Sequence, residues 1–369
     1  MDAPADLDQP PGRYDVAIVG AGIAGAMLAA ELAPNARVVV LEAEKVAGYH
    51  ATGRSAAFWS ETYGGPGVQP LTTASGGPLR DGGFLRPLGS LHIGRAEDAA
   101  AVDAFLAEFD GAAVELRPVD PADHVPGLRP GWTLGVLEPS CAYIDVSALH
   151  AHALARTRRA GAVLLTDAEF RTARRESGDW RIDTPAGPVR AALLVNAAGA
   201  WADATAIRAG VRPIGVGAYR RTVAQLRTDP PAPDGLPMVA DIAGRFYFKP
   251  EAGGRLWLSP HDETPTDPCD VAPEELDVAL AIDRFEDVVD WRVAAVERRW
   301  AGLRSFAPDR LPVFGFDAGQ PAFFWCAGQG GFGIQTAPAA AALCAALILG
   351  RAGPEGVDPD RYRPGRFTA

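Results

Sequence analysis

Tyr14-Asp15-Val16-Ala17-Ile18-Val19-Gly20-Ala21-Gly22-Ile23-Ala24-Gly25 is the segment that decides the fold. The apolar run Val16 to Val19 reads as a buried strand, the three glycines as a tight turn, and the Ala/Leu-rich stretch to Leu32 as a helix. A second apolar run, Arg37 to Leu41, completes a strand–turn–helix–strand unit. A glycine pattern alone is a weak signal, but between a strand and a helix it becomes the phosphate-binding turn of a dinucleotide fold. Gly20 permits the turn, Gly22 lets the backbone approach a pyrophosphate, and Gly25 lets helix and strand pack closely. The helix start, with Ile23 and Ala24, offers N–H groups to the phosphates. Glu42 follows the second strand, where a carboxylate accepts ribose hydroxyls and repels a 2′-phosphate, which argues against NADP.

Outward from this unit the same texture recurs. Val146 to Ala160 has helical spacing, Ala162 to Leu165 reads as a buried parallel strand, and 168 to 190 alternates like a hairpin or meander. Ala192 to Asn196 reads as another buried strand, running into Ala197-Ala198-Gly199-Ala200-Trp201. Phe323 to Ala327 and the turn Gly328-Gln329-Gly330-Gly331-Phe332-Gly333 then open a closing helix. Segments of about 80–140 and 213–300 differ, being rich in Pro, aromatics and alternation such as Arg245-Phe246-Tyr247-Phe248-Lys249. The expected class is therefore α/β, a Rossmann-like dinucleotide-binding domain with an interleaved α+β substrate domain on an antiparallel sheet. The expected division gives 14–80, 141–212 and 301–369 to the first domain, 81–140 and 213–300 to the second, and 1–13 to a disordered leader. The Pro/Gly-rich patches near 64–83 and 229–237 read as loops.

FAD is preferred over NAD because of what lies beyond the first turn. The loop Gly48-Tyr49-His50-Ala51-Thr52-Gly53-Arg54-Ser55-Ala56-Ala57 carries an Arg and a Ser able to reach a pyrophosphate or isoalloxazine. Far downstream, a second glycine-rich helix start would turn its N–H groups toward the flavin N1/O2 region, where charge accumulates on reduction. Two such turns suit one long coenzyme.

These motifs, with Val195-Asn196-Ala197-Ala198-Gly199-Ala200-Trp201, Trp300-Ala301-Gly302-Leu303-Arg304-Ser305-Phe306 and Gln329-Gly330-Gly331-Phe332-Gly333-Ile334-Gln335-Thr336, make the chain resemble the D-amino acid oxidase family of flavoproteins. The bacterial D-arginine dehydrogenase branch is the nearest likeness, and it runs from Tyr14 to about Leu349. The resemblance implies a noncovalent FAD and oxidation of a D-amino acid to its imino acid. It implies cofactor contacts from Gly20, Gly22, Ile23, Ala24, Gly25, Glu42, Arg54, Ser55, Ala56, Ala57, Ala198, Gly199 and Trp201. Gly302, Gly330, Gly331, Phe332, Gly333, Ile334 and Gln335 join them. Arg221 and Arg304 match the arginines that clasp the substrate carboxylate, a pairing the guanidinium fork suits. Arg220, next to Arg221 on an apparent strand, should face the opposite way. Tyr247 matches a carboxylate-holding tyrosine, Tyr63 a tyrosine on a mobile lid, and Gln335, Gly302 and Gly331 flavin- or substrate-facing groups. Phe58 stands where that branch carries histidine, and Ser90 where it carries an acidic selector of side chains. Without that carboxylate a cationic substrate tail loses its counter-charge, so neutral or apolar D-amino acids are expected over D-Arg.

Composition sets further limits. With 35 Lys+Arg against 46 Asp+Glu and no basic stripe, nucleic acid and anionic membranes are poor partners. The apolar stretch Ala339 to Leu349 is too short to span a bilayer. Four scattered cysteines and an acidic, Pro-rich N-terminus suit a cytoplasmic protein. No histidine has metal-ligand spacing, so no metal is assigned. The expected partners are a small amino acid and an electron acceptor: a quinone, another carrier or O₂. Three rival readings stay open: a sarcosine- or glycine-type amine oxidase using O₂, an NAD-linked dehydrogenase, and an inactive FAD-binding module.

Overall fold

The computed structural model describes residues 12–367; the leader expected over 1–13 lies, up to residue 11, outside the described residues. The chain forms two compact units. One comprises Met1–Gly53, Val146–Gly217 and Ser305–Ala369, the other Arg54–Asp145 and Ala218–Arg304. The segment 54–80, expected with the first, thus falls in the second unit.

In the first unit the strand Tyr14–Val19 lies between Val38–Leu41 and Gly187–Asn196, parallel to both. Val163–Leu165 extends the parallel set beyond Val38–Leu41, and Phe323–Ala327 extends it beyond Gly187–Asn196. Their runs of β-branched and aromatic residues are what a sheet covered on both faces requires. The meander expected over 168–190 is present: Thr172–Glu176, Asp179–Thr184 and the first half of Gly187–Asn196 pair antiparallel. The helix Ile23–Leu32 is apolar on nearly every side because Val146–Arg159 and Ala337–Leu349 both pack on it. Phe323, Trp325 and Trp180 fill the other side of the sheet core.

The second unit is built on one large sheet. Its strand order is Arg292–Phe306, Gly217–Asp229, Arg255–Ser259, Tyr247–Glu251, Met238–Asp241, Ser90–Arg95, Trp132–Glu138 and Arg117–Val119. Neighbours with described registers run antiparallel except Met238–Asp241 against Ser90–Arg95, which is parallel. Helix Glu275–Val288 covers one face, the Phe285 ring meeting Phe248 edge-on at 5.1 Å.

The loop expected near 64–83 is in part a helix, Gln69–Asp81. Pro70 is tolerated in the first turn, where no N–H is needed, and Pro78 removes only one late hydrogen bond. What holds the helix is tertiary: the Trp59 indole donates to the Thr72 carbonyl at 2.9 Å. Gly76 is required there, since a Cβ would stand 2.8 Å from Trp59. Phe58–Trp59 in turn pairs with Ala142–Ile144, which ties 54–80 to the second unit. Among the described residues no helix is long and apolar enough to cross a membrane.

Candidate functional site

In the first unit the turn Gly20 to Gly25 leaves the carboxyl end of Tyr14–Val19, where parallel α/β sheets bind nucleotides. Gly20 has φ +100°, and a Cβ there would stand 2.6 Å from the Ala197 carbonyl oxygen. On Gly25 a Cβ would stand 1.9 Å from the Gly20 oxygen, so no side chain fits. The buried Glu42 carboxylate accepts from Ala21 N at 2.8 Å and Glu44 N at 3.0 Å. Each oxygen keeps a lone pair for a ribose hydroxyl. Gly22 provides no side-chain cap, which leaves first-turn N–H groups for an anion, while Ile23 N donates to Thr52 Oγ1 at 2.9 Å. A glycine cradle, an open helix start and a carboxylate beside it fit an adenine dinucleotide.

Two further glycine-containing segments belong to this unit, the first of them against the turn at Ala197. Asn196 is fully buried, accepts from Ala198 N at 3.3 Å and donates to the Ala202 carbonyl, fixing the turn that carries Gly199 and Trp201. The Trp201 ring lies 4.6 Å from His50, whose Nε2 is 2.9 Å from Glu44 Oε1. Gly330 takes φ +53°, and a Cβ there would collide with the Phe306 ring at 2.2 Å. Phe332, Ile334 and Gln335 are buried around it. The glycine turn was expected to open the last helix directly, and it does not. Turn residues occupy 331–336, and the helix Ala337–Leu349 starts only where Pro338 can sit in its first turn.

Two residues of this unit support the glycine turn though neither was assigned to the site from the sequence. His150 donates from Nε2 to the Ala21 carbonyl at 2.8 Å, buttressing the glycine turn from the helix Val146–Arg159. Its signal was the buried spacing of Leu149, His150, Ala153 and Thr157. Thr52, inside a quoted motif, was passed over.

In the second unit the structure gathers Arg221, Arg304, Tyr63, Tyr247 and Phe58. Arg221 is only 5% exposed; its Nε donates to the Asp262 carbonyl at 2.7 Å, and its Nη2 to Glu263 Oε1 at 3.1 Å. Arg304 Nη1 approaches the same Glu263 oxygen at 3.8 Å, and its guanidinium lies 5.7 Å from the centre of the Tyr63 ring. Burial, and then the charge of Arg304, pushes Arg221 down to about 10. Burial raises the Tyr247 phenol, an effect the two guanidiniums oppose. His261 edges the Tyr247 ring at 5.9 Å and donates from Nδ1 to the Gly244 carbonyl at 2.6 Å. Burial first, then Arg221 and Arg304, holds its imidazole down at about 3, so it is neutral in ordinary buffers. Phe58 stands 5.1 Å from Tyr63 and 6.1 Å from Tyr247, beside an apolar group of Leu88, Cys141, Met238 and Ala240.

Other expected residues are engaged elsewhere. Arg220 pairs with Glu274, with Asp277 at 2.9 Å and with Asp262, holding the start of helix Glu275–Val288. That network, rather than a ligand, accounts for its burial. Arg54, expected at the cofactor, donates to the Val271 carbonyl at 3.1 Å and the Ala301 carbonyl at 3.4 Å and pairs with Asp270. Ser55, Ala56 and Ala57 continue from it without regular structure. Gly302 lets that segment approach, a Cβ there meeting Arg54 Cβ at 3.4 Å. Ser90 is fully buried, and Glu138 lies opposite it in strand register. That carboxylate is already committed to Ser60 Oγ at 2.8 Å, Thr62 Oγ1 at 2.7 Å and Glu61 N at 2.7 Å, and burial pushes its pKa up. It anchors the segment that leads into Tyr63. His261, Glu263 and Glu138 carried no sequence signal, since each acts through distant partners.

A glycine cradle at the ends of parallel strands defines the class, a dinucleotide-binding oxidoreductase fold. The family model described as DAO, FAD dependent oxidoreductase, matches residues 15–347, and the chain belongs to that family. FAD is accordingly its cofactor. The chain is 27% identical to glycine oxidase of Pseudomonas aeruginosa, the match covering 95% of this chain and 98% of that protein. It is also 27% identical to mitochondrial dimethylglycine dehydrogenase of Mus musculus, a match covering 100% of this chain and 46% of that protein. The chain thus spans less than half the length of the dimethylglycine dehydrogenases it matches. Among solved structures, L-proline dehydrogenase of P. horikoshii shares the fold with a TM-score of 0.85 at 21% identity, covering 97% of this chain and 99% of that one.

Proposed function

We propose that the chain oxidises the C–N bond of a small α-amino acid, holding its carboxylate with Arg221 and Arg304. The observation that carries this reading is two guanidiniums converging on one carboxylate oxygen, that of Glu263, at 3.1 and 3.8 Å. A planar fork of this kind suits a carboxylate ligand. Tyr247, between the two positive charges and the apolar group around Phe58, adds a hydroxyl for the acid and a wall for the side chain.

FAD, when bound, supplies the acceptor for the two electrons of the substrate Cα–H. The chain's own residues do the rest. The arginines fix the acid end, which leaves the Cα–H with one orientation. Their positive charge disfavours an ammonium beside them and so favours the neutral amine that the oxidation needs. Phe58 and the buried Tyr247 exclude water from that end.

Within this class, a neutral or apolar D-amino acid is the first reading. Ser90 is uncharged, and the Glu138 carboxyl opposite it already accepts from Ser60, Thr62, Ser140 and Glu61 N while burial favours its neutral form, which makes it a poor counter-charge for a cationic tail. Glycine or an N-methylated glycine is the second, favoured by the nearly full-length likeness to glycine oxidase. Anaerobic titration of the FAD-loaded protein with D-alanine, D-leucine, D-arginine, L-alanine, glycine and sarcosine separates them by which compound bleaches the flavin. Bleaching by D-arginine before the others would defeat the selectivity argument, and L-alanine in first place would defeat the D assignment.

A further inference from the structure

We propose that Ser259 is the positioning residue of Tyr247: its buried hydroxyl donates to the phenol oxygen and so turns the phenol's own proton toward the substrate carboxylate. This rests on the reading that Arg221, Arg304 and Tyr247 hold an acid.

The two side chains are direct cross-strand neighbours. Tyr247–Glu251 and Arg255–Ser259 run antiparallel with Tyr247 opposite Ser259, so both project from the same face of the sheet. Ser259 is fully buried, Tyr247 is 6% exposed, and the serine hydroxyl is hydrogen-bonded to the phenol. Each hydroxyl carries a single proton, so the groups at the two ends of the pair decide which one donates.

Behind Ser259 stands a group that can only donate. The His261 N–H gives its proton to Ser259 Oγ at 3.2 Å. His261 holds that place with a left-handed backbone, φ +59°, uncommon for a residue other than glycine, and its Nδ1 anchors it to the Gly244 carbonyl at 2.6 Å. On the far side of the phenol act the charges of Arg304 and Arg221, whose guanidiniums have donors and no acceptor. A carboxylate clasped by those guanidiniums can only accept. Between a pure donor and a pure acceptor every hydroxyl proton points one way: His261 N–H to Ser259, Ser259 to Tyr247, Tyr247 to the acid. Each link polarises the next, so the serine makes the phenol a stronger donor. The same short segment serves the acid twice, because the Asp262 carbonyl accepts from Arg221 Nε at 2.7 Å.

The test is a double-mutant cycle read by calorimetric titration of the FAD-loaded protein with benzoate, an unreactive carboxylate. Ser259→Ala should weaken benzoate about three- to tenfold, and the same substitution in a Tyr247→Phe background should change it less than about twofold. Ser259→Cys, which keeps a weaker donor of similar shape, should lie between wild type and Ser259→Ala. A disturbance of the strand or of the ring would persist in the Phe background, so equal losses in both backgrounds overturn the proposal. Benzoate binding that is lost in Arg304→Met and weakened in Tyr247→Phe, yet is unmoved by Ser259→Ala, overturns the role of Ser259 alone. An affinity indifferent to both Arg304→Met and Tyr247→Phe overturns the carboxylate reading itself, and the role of Ser259 with it.

Discussion

Replacing Arg221 by Met keeps the length and apolar stem of the side chain and deletes only its charge and fork. In the free protein the guanidinium has two described hydrogen bonds, to the Asp262 carbonyl at 2.7 Å and Glu263 at 3.1 Å. Against these stands the cost of burying a charge beside Arg304, visible in the depression of its pKa to about 10. These opposing contributions leave folding stability within about 2 kcal/mol of wild type. Substrate binding has no such offset. A carboxylate about 4 Å from a guanidinium gains about 4 kcal/mol at an effective dielectric near 20, part of which Arg304 retains. A net loss of about 2–3 kcal/mol raises KM about 30- to 150-fold. Because the carboxylate does not react, kcat should fall less than KM rises. Arg221→Lys restores the charge without the fork and should recover part of the loss. Steady-state kinetics with the best substrate, beside the same compound as its methyl ester, measures this. The ester should be a poor substrate of wild type and nearly blind to the mutation. A KM change under about threefold for the free acid, in a protein with unaltered melting, would refute the reasoning.

Three other outcomes follow from the same geometry. Gly25→Ala sets a Cβ 1.9 Å from the Gly20 oxygen and should yield protein without bound flavin, read from absorbance near 450 nm after purification; a yellow variant with full occupancy contradicts the cradle. His150→Ala removes the donor to the Ala21 carbonyl and should cost about 1–3 kcal/mol of stability and weaken FAD retention, checked by thermal melting with and without added FAD. Carboxylate affinity should stay flat through pH 6–7, because His261 is already neutral above about 3, and should fall as pH rises through about 10, where Arg221 loses its proton. Benzoate titrations across pH 5–11 check the sign, and an inflection near 6.5 would point to a histidine the geometry does not implicate.

The first unit was largely legible because its determinants are local. A strand–glycine–helix run needs only sequence neighbours to be recognised, and Gly20, Gly25 and Glu42 stand where the motif puts them. The closing helix was legible as a helix but not in its start, because Pro338 rather than the glycines sets its first turn. The helix Gln69–Asp81 was missed because Gly76, Gly77 and Pro78 look like loop residues until Trp59 is packed against them. In the second unit the arginines were found through resemblance, not pattern. An Arg in a strand tells nothing of its partner, and only the fold separates Arg220, bound to Asp277 and Glu274, from Arg221, facing Glu263. Arg54 has the same history: a promising loop residue whose guanidinium is spent on the carbonyls of Val271 and Ala301. Glu263 and His261 could not be read at all, since their meaning lies in two guanidiniums more than 35 positions away in each direction.

The most direct measurement is anaerobic reduction of the FAD-loaded protein by single α-amino acids, followed at the flavin bands, with each acid paired against its decarboxylated amine. The account expects at least one small neutral amino acid to bleach the flavin while its amine counterpart does not. Bleaching by the amines as readily as by the acids, or by no amino acid at all, would contradict it.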